Sequence, residues 1–238
     1  MSSEKIDQAP SPRLDRSGIA RIFQIVVSLV IMVGLLFGAA GRWDWWEGWA
    51  FLSIFTLFLL VAAIWLLRNN PELVNERGRI AENTKTWDKV LVTLYSILLL
   101  ISLLTASLDA RFHWSSVPLI LEIAGGNGFI LALCLTAWAS MTNPFLSAIV
   151  RIQADRGHRV VTTGPYRYVR HPMYAGMFFF FLGIPLLLGS FWALIPGILN
   201  VIIYIIRTAL EDKTLQVELP GYAEYARQVR YRIIPGIW

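Results

Sequence analysis

Between His158 and Gly176 the chain reads HRVVTTGPYRYVRHPMYAG. Within the eleven positions from Gly164 to Tyr174, three tyrosines (Tyr166, Tyr168, Tyr174), two arginines (Arg167, Arg170) and His171 gather, able together to grip an anion and to offer aromatic faces to a cation. A long apolar run opens at Met173, so Pro172 stands in the first turn of a helix, where its missing N–H costs nothing. The positive dipole end and N–H groups of that helix point back at the loop and could hold a carboxylate or phosphate. Alone, Arg170-His171-Pro172 would read as a basic stop at a membrane surface. The Gly164-Pro165-Tyr166 turn beside it is the signal that adds a pocket.

A second pair, Arg207 and Glu211, lies four residues apart where the last apolar run emerges. Arginine before glutamate is the weaker order for helix support, so a surface ion pair explains it poorly. Arginine there can hold a carboxylate or phosphate. Glutamate can accept from ribose hydroxyls or pair with an ammonium. Tyr166 and Tyr174 are the rings best placed to face a cationic ligand, at about 0.5 to 2 kcal/mol each.

These residues need a scaffold, and the composition specifies one. The chain has 238 residues, 56% of them apolar, and a mean hydropathy of +0.56. Windows nearly free of charge predict an all-α integral membrane protein with six apolar segments, Ile19–Ala40, Trp49–Leu67, Val90–Leu108, Val117–Met141, Met173–Leu188 and Phe191–Ile206. The last two are short for a hydrocarbon layer about 30 Å thick, which predicts a tight or partly re-entrant hairpin across Gly189-Ser190. The first run lacks a small-residue cleavage site and is expected to be retained. The division expected is a polar N-terminus over 1–18, a four-helix membrane region over 19–141, and a catalytic region over 142–238. After a break at Pro220-Gly221, the spacing of Tyr222, Tyr225, Ala226 and Val229 predicts a short amphipathic helix that either lies on the membrane or caps a pocket.

The net charge of +5 reflects topology rather than nucleic-acid binding. With alternating crossings, only Arg42 and Arg111 of the 21 basic residues fall on the side opposite the termini. Both termini and all long polar segments are therefore expected to be cytoplasmic, and tryptophans 43, 45, 46, 49 and 114 to belt the outer edge. Cys134 is the lone cysteine and the three histidines are scattered, so neither a disulfide framework nor a metal site is expected. Internal repeats are not evident and charges are expected to stop at the segment ends, which argues against a transporter, pump or channel.

Gln153 followed by the 158–176 stretch, then Arg207-x-x-x-Glu211-Asp212, Gly221-Tyr222-x-x-Tyr225 and Ile234-Pro235, resembles the isoprenylcysteine carboxyl methyltransferases and their bacterial relatives, which overlap with the phospholipid methyltransferases. Looser similarity extends to the segment 70–78. The resemblance implies a membrane enzyme, expected in a bacterial inner membrane, that binds S-adenosyl-L-methionine without a soluble dinucleotide-binding fold. It implies cofactor contacts from Gln153, His158, Arg159, Val160, Val161, Gly164, Tyr166, Arg170, His171, Pro172, Met173, Tyr174 and Glu211. Arg207 is implied to contact a lipophilic acceptor arriving from the bilayer. A prenylcysteine-like carboxylate, a small thiol or amine, and a phospholipid headgroup are all compatible acceptors. Two other readings compete: an NADPH-dependent sterol-reductase-like enzyme, for which Arg227, Arg230 and Arg232 could meet a 2′-phosphate, and a membrane module without catalysis.

Overall fold

The structure, a computed structural model, describes residues 14–69, 71, 74–75, 85–147 and 149–238. The N-terminal stretch 1–13 and most of the 70–78 segment lie outside the described residues. Among the described residues there are seven α-helices and no strand: α1 (Arg16–Ala40), α2 (Trp46–Asn69), α3 (Thr86–Phe112), α4 (Leu119–Thr142), α5 (Pro172–Leu187), α6 (Leu194–Glu218) and α7 (Tyr222–Gln228). Five of them, α1 to α4 and α6, are long and apolar enough to cross a membrane. This is an all-α integral membrane architecture.

The ends of these helices follow local chemistry. Asp15 caps α1 by accepting from the Gly18 N–H at 3.0 Å, and Gly41 closes it at φ +67°. Pro118 precedes α4, and Pro172 opens α5. Contacts fix which ends lie together. Lys85 Nζ meets Glu218 Oε1 at 2.6 Å, and the Asp15 N–H donates to Asn75 Oδ1 at 3.1 Å. The start of α1, the start of α3 and the end of α6 therefore share one end of the bundle. At the other end buried Asp109 accepts from Ser115 and Ser190, and exposed Trp43, Trp46, Trp49, Trp114 and Trp192 face outward.

Two expectations change. The fifth segment is short as expected, 16 residues and about 24 Å. The sixth is not: α6 runs 25 residues, far past Ile206, and is no half of a short re-entrant hairpin. Arg207 lies within this helix, as its four-residue spacing from Glu211 implies, and its charge is neutralised by Asp88 of α3. Glu122 also lies inside the fourth expected segment, in the first turn of α4, where it is buried. Charges therefore do not all stop at the segment ends.

Helix α5 is held by backbone contact on two sides. A Cβ on Gly125 of α4 would come within 2.6 Å of the Leu187 nitrogen and 2.7 Å of the Gly183 oxygen, and one on Gly197 of α6 within 2.5 Å of the Phe181 oxygen. In a bilayer, where apolar burial gives helices little reason to associate, such small-residue contacts supply the packing. They fix the height of the α5 N-terminus, and with it His171. Gly125→Ala should lower stability by about 3 kcal/mol, because the obstructing atoms are backbone and cannot rotate away. The control Gly34→Ala, which meets nothing within 4 Å, should cost little; thermal unfolding in detergent compares them.

Candidate active site

One cleft opens at the end of the bundle where α5 begins. Its walls come from the loop after α4 (Asn143, Phe145, Ser147, Val150), the 158–161 strip, Tyr166, the 170–174 stretch, Glu211 and Leu215 of α6, and Leu219, Tyr222 and Tyr225 of the tail. Of the residues expected to bind a cofactor, His158, Arg159, Val160, Val161, Tyr166, Arg170, His171, Pro172, Met173, Tyr174 and Glu211 line it together. Gln153, Gly164 and Arg207 are not in its lining.

Each of those three has another place. Gln153 is buried inside its loop, where its Nε2 donates to the Phe145 carbonyl at 2.6 Å and its Oε1 accepts from Arg156 Nη1 at 2.6 Å. Gly164 takes φ +57° and packs so closely on Thr142 that a Cβ would meet Oγ1 at 2.6 Å. It shapes the turn that presents Tyr166. Arg207 is 1% exposed and pairs with Asp88 of α3 through Nε at 2.7 Å and Nη2 at 3.3 Å. Asp88 Oδ2 also accepts the Val150 N–H at 2.7 Å, tying α3, α6 and the cleft's loop together. The Arg207 guanidinium stands 5.3 Å from the Tyr174 ring centre and 5.8 Å from that of Tyr204. The surface pairing considered for Arg207 and Glu211 thus gives way to burial of the arginine.

The centre of the polar end is a residue that the motif contains but to which no role was given. Asp212 is fully buried. Its carboxylate accepts from Arg170 Nε (2.8 Å) and Nη2 (3.0 Å), Arg232 Nε (3.0 Å), Gln216 Nε2 (2.8 Å) and the Tyr222 hydroxyl (3.0 Å), with His171 Nε2 at 3.3 Å. Arg170 Nη1 donates onward to the Val229 and Arg230 carbonyls, each at 2.8 Å. The Arg170 and His171 N–H groups donate to Tyr231 and Arg232 carbonyls at 3.0 and 2.8 Å. Helix α7 and the tail after it are thereby strapped over the start of α5, and α7 walls the cleft.

Around the mouth, protonation states follow from burial. Burial pushes the Tyr166, Tyr222 and Tyr225 phenols upward, so they remain protonated; Tyr225 donates to the Tyr166 carbonyl at 2.7 Å. Burial, with Arg151 and Arg156 nearby, pushes His158 down from 6.5, which keeps its ring neutral. Its Nδ1 can then accept the Gln153 N–H, 3.3 Å away. The Tyr174 hydroxyl donates to Glu211, and the His171 and Tyr174 rings stack 4° from parallel. The site therefore presents a fixed carboxylate, parallel aromatic faces and a helix N-terminus to one cleft. Among the described residues no group of three or more His, Cys, Asp or Glu residues could hold a metal ion.

Sequence comparison meets this geometry. Residues 122–218, which run from α4 through α6 and contain every residue expected at the site, match the phospholipid methyltransferase family. A stretch of 45 residues is 49% identical to the protein-S-isoprenylcysteine O-methyltransferase of Schizosaccharomyces pombe; it spans 19% of this chain and 19% of that relative. Both matches are to methyltransferases, one of phospholipids and one of isoprenylcysteine, and the chain is similar to each over part of its length. The resemblance read from the motifs is borne out, and the 45-residue identity lies on its isoprenylcysteine side.

Asn143, Phe145, Leu215, Leu219, Tyr222 and Tyr225 also line the cleft without having been expected there. The two tyrosines carried a signal in the Gly221-Tyr222-x-x-Tyr225 motif.

Proposed function

We propose that the protein is an S-adenosyl-L-methionine-dependent methyltransferase acting on a lipophilic acceptor, with a prenylcysteine-like carboxylate favoured by the 45-residue similarity. The observation that carries the reading is the convergence of Glu211, Tyr174, His171 and the tail tyrosines on one cleft at the α5 N-terminus. The residues present fit the cofactor's groups: a carboxylate for its ammonium or ribose hydroxyls, aromatic faces for its sulfonium, and a helix N-terminus for its carboxylate. When bound, the cofactor supplies an electrophilic methyl group.

In this reading the chain's own residues position and exclude. Tyr174 fixes the Glu211 carboxylate by donating to it, and α7 with Tyr222 and Tyr225 keeps bulk water from the reacting centre. An ionised carboxylate acceptor attacks with its own lone pair and needs no general base, so alignment supplies most of the acceleration. Arg207 is assigned to the acceptor, which would meet it beside the Tyr174 ring. The enclosed part of the cleft, about 80 Å³, is smaller than the roughly 300 Å³ or more of typical small-molecule sites. Cofactor binding in this reading therefore requires the tail or the 143–151 loop to move outward.

Thermal unfolding of the detergent-purified protein tests the reading, because a ligand of the folded state raises the midpoint. S-adenosylhomocysteine should raise it and NADPH should not; the reverse would favour a reductase. Glu211→Ala and His171→Ala should abolish the shift, whereas Arg207→Ala should mainly impair methyl transfer. Retained affinity in both of the first two variants would remove the site assignment.

A further inference from the structure

A second concavity lies in the membrane-spanning part and shares no residue with the cleft. It is a groove of about 310 Å³ between α1, α2 and α4. Its cause is uneven packing. Apart from Gly18, the buried residues of α1 are Leu36, Phe37 and Ala40, and those of α2 are Gly48, Phe51 and Leu52, all near the turn that joins the two helices. Toward the opposite end the helices diverge, and the gap is floored by the last turns of α4, from Thr136 to Met141.

The groove has the dimensions and polarity of one lipid. Along α1 its lining runs from Arg21 to Leu29, about 12 Å, and along α2 from Thr56 to Leu67, about 16 Å, at 1.5 Å per residue. Half of a hydrocarbon layer about 30 Å thick is about 15 Å, so the groove is one leaflet deep. Among the described residues the lining is apolar apart from a few small hydroxyl side chains and one charged residue, Arg21, which sits at the polar end near Val74, one Nη donating to Gln24 Oε1 at 2.9 Å. A guanidinium there can donate to a phosphate while its methylene stem stays in the apolar region.

We infer that this groove is a binding site for an anionic glycerophospholipid, with one acyl chain between α1, α2 and α4 and the phosphate on Arg21. The groove has the depth of a single leaflet and, among its described lining residues, carries its charge where a headgroup lies, which distinguishes it from the general lipid-facing surface. The site is independent of the methyl-transfer reading, since none of its residues belongs to the cleft.

The test is native mass spectrometry and thermal unfolding of the full chain in detergent, titrated with palmitoyl-oleoyl phosphatidylglycerol and, separately, with phosphatidylcholine bearing the same chains. Wild type should retain one phosphatidylglycerol and gain more in midpoint from it than from phosphatidylcholine. Arg21→Gln, a change at the partly exposed edge of the groove, should weaken phosphatidylglycerol about tenfold and phosphatidylcholine, whose phosphate is offset by its choline ammonium, clearly less. Ala63→Phe, which fills the groove, should reduce both. Equal retention of the two lipids by wild type, or unaltered phosphatidylglycerol binding in Arg21→Gln, would overturn the inference. If Ala63→Phe does not fold, the Arg21→Gln comparison decides alone.

Discussion

Asp212→Ala is expected to destabilise the protein by about 3–5 kcal/mol and to remove cofactor binding with it. The carboxylate is fully buried and faces two guanidiniums, an imidazole, a phenol and an amide. Deleting it leaves the Arg170 charge, itself almost wholly buried, without its counter-ion, and desolvated charge is costlier than the lost bonds. Asp212→Asn preserves shape but turns an amide N–H toward donors, so it should recover little. The strap of tail residues hangs on the same network, so cofactor affinity should fall in parallel. Thermal unfolding at a fixed scan rate, with and without S-adenosylhomocysteine, reads both effects. A midpoint close to wild type would mean that the network does not hold this end of the molecule together.

The second large effect is expected at Asp88. Asp88→Ala removes the carboxylate that accepts from both Arg207 Nε and Nη2 and from the Val150 N–H, at a cost of about 3–5 kcal/mol. The double variant Asp88→Ala with Arg207→Met should be markedly more stable than Asp88→Ala alone, because replacing a buried pair by apolar groups is often close to neutral. Methyl transfer should nonetheless stay lost in the double variant, since the arginine assigned to the acceptor is gone. Stability and turnover would then separate. Two single variants whose effects simply add would show that the two side chains act independently.

The division between what the chain reveals in one dimension and what it conceals follows from sequence distance. Arg170, His171, Pro172, Met173 and Tyr174 are contiguous, and the helix that follows them is announced by a proline and an apolar run, so their grouping is local and readable. The partnership of Arg207 with Asp88 spans 119 positions. From sequence, Arg207 stood where the last apolar run emerges, and nothing pointed to Asp88 as its partner. That is why the last apolar run was bounded at Ile206. Asp212 was hidden differently: it follows Glu211 directly, but on a helix neighbours differ by about 100°, so one can face a cleft while the next faces a buried network. Gln153 was expected at the cofactor because the motif contains it, yet its amide is consumed in its own loop. The glycines at 125, 183 and 197 bear no chemistry, and only the approach of three backbones gives them meaning.

The two ways in which this end is built have unequal consequences for motion. Helix α5 is clamped by main-chain contact on both sides, whereas α7 and the tail are attached by side-chain packing of Tyr222, Tyr225 and Ile233 and by hydrogen bonds to Asp212 and to the Arg170–His171 amides, beyond a swivel at Gly221 with φ +83°. The tail can therefore undock as a unit of low local stability while the spanning bundle stays intact. Amide exchange would register this as fast protons over 222–234 against slow ones in α5. The protein would then behave as a rigid vessel with a separately melting stopper.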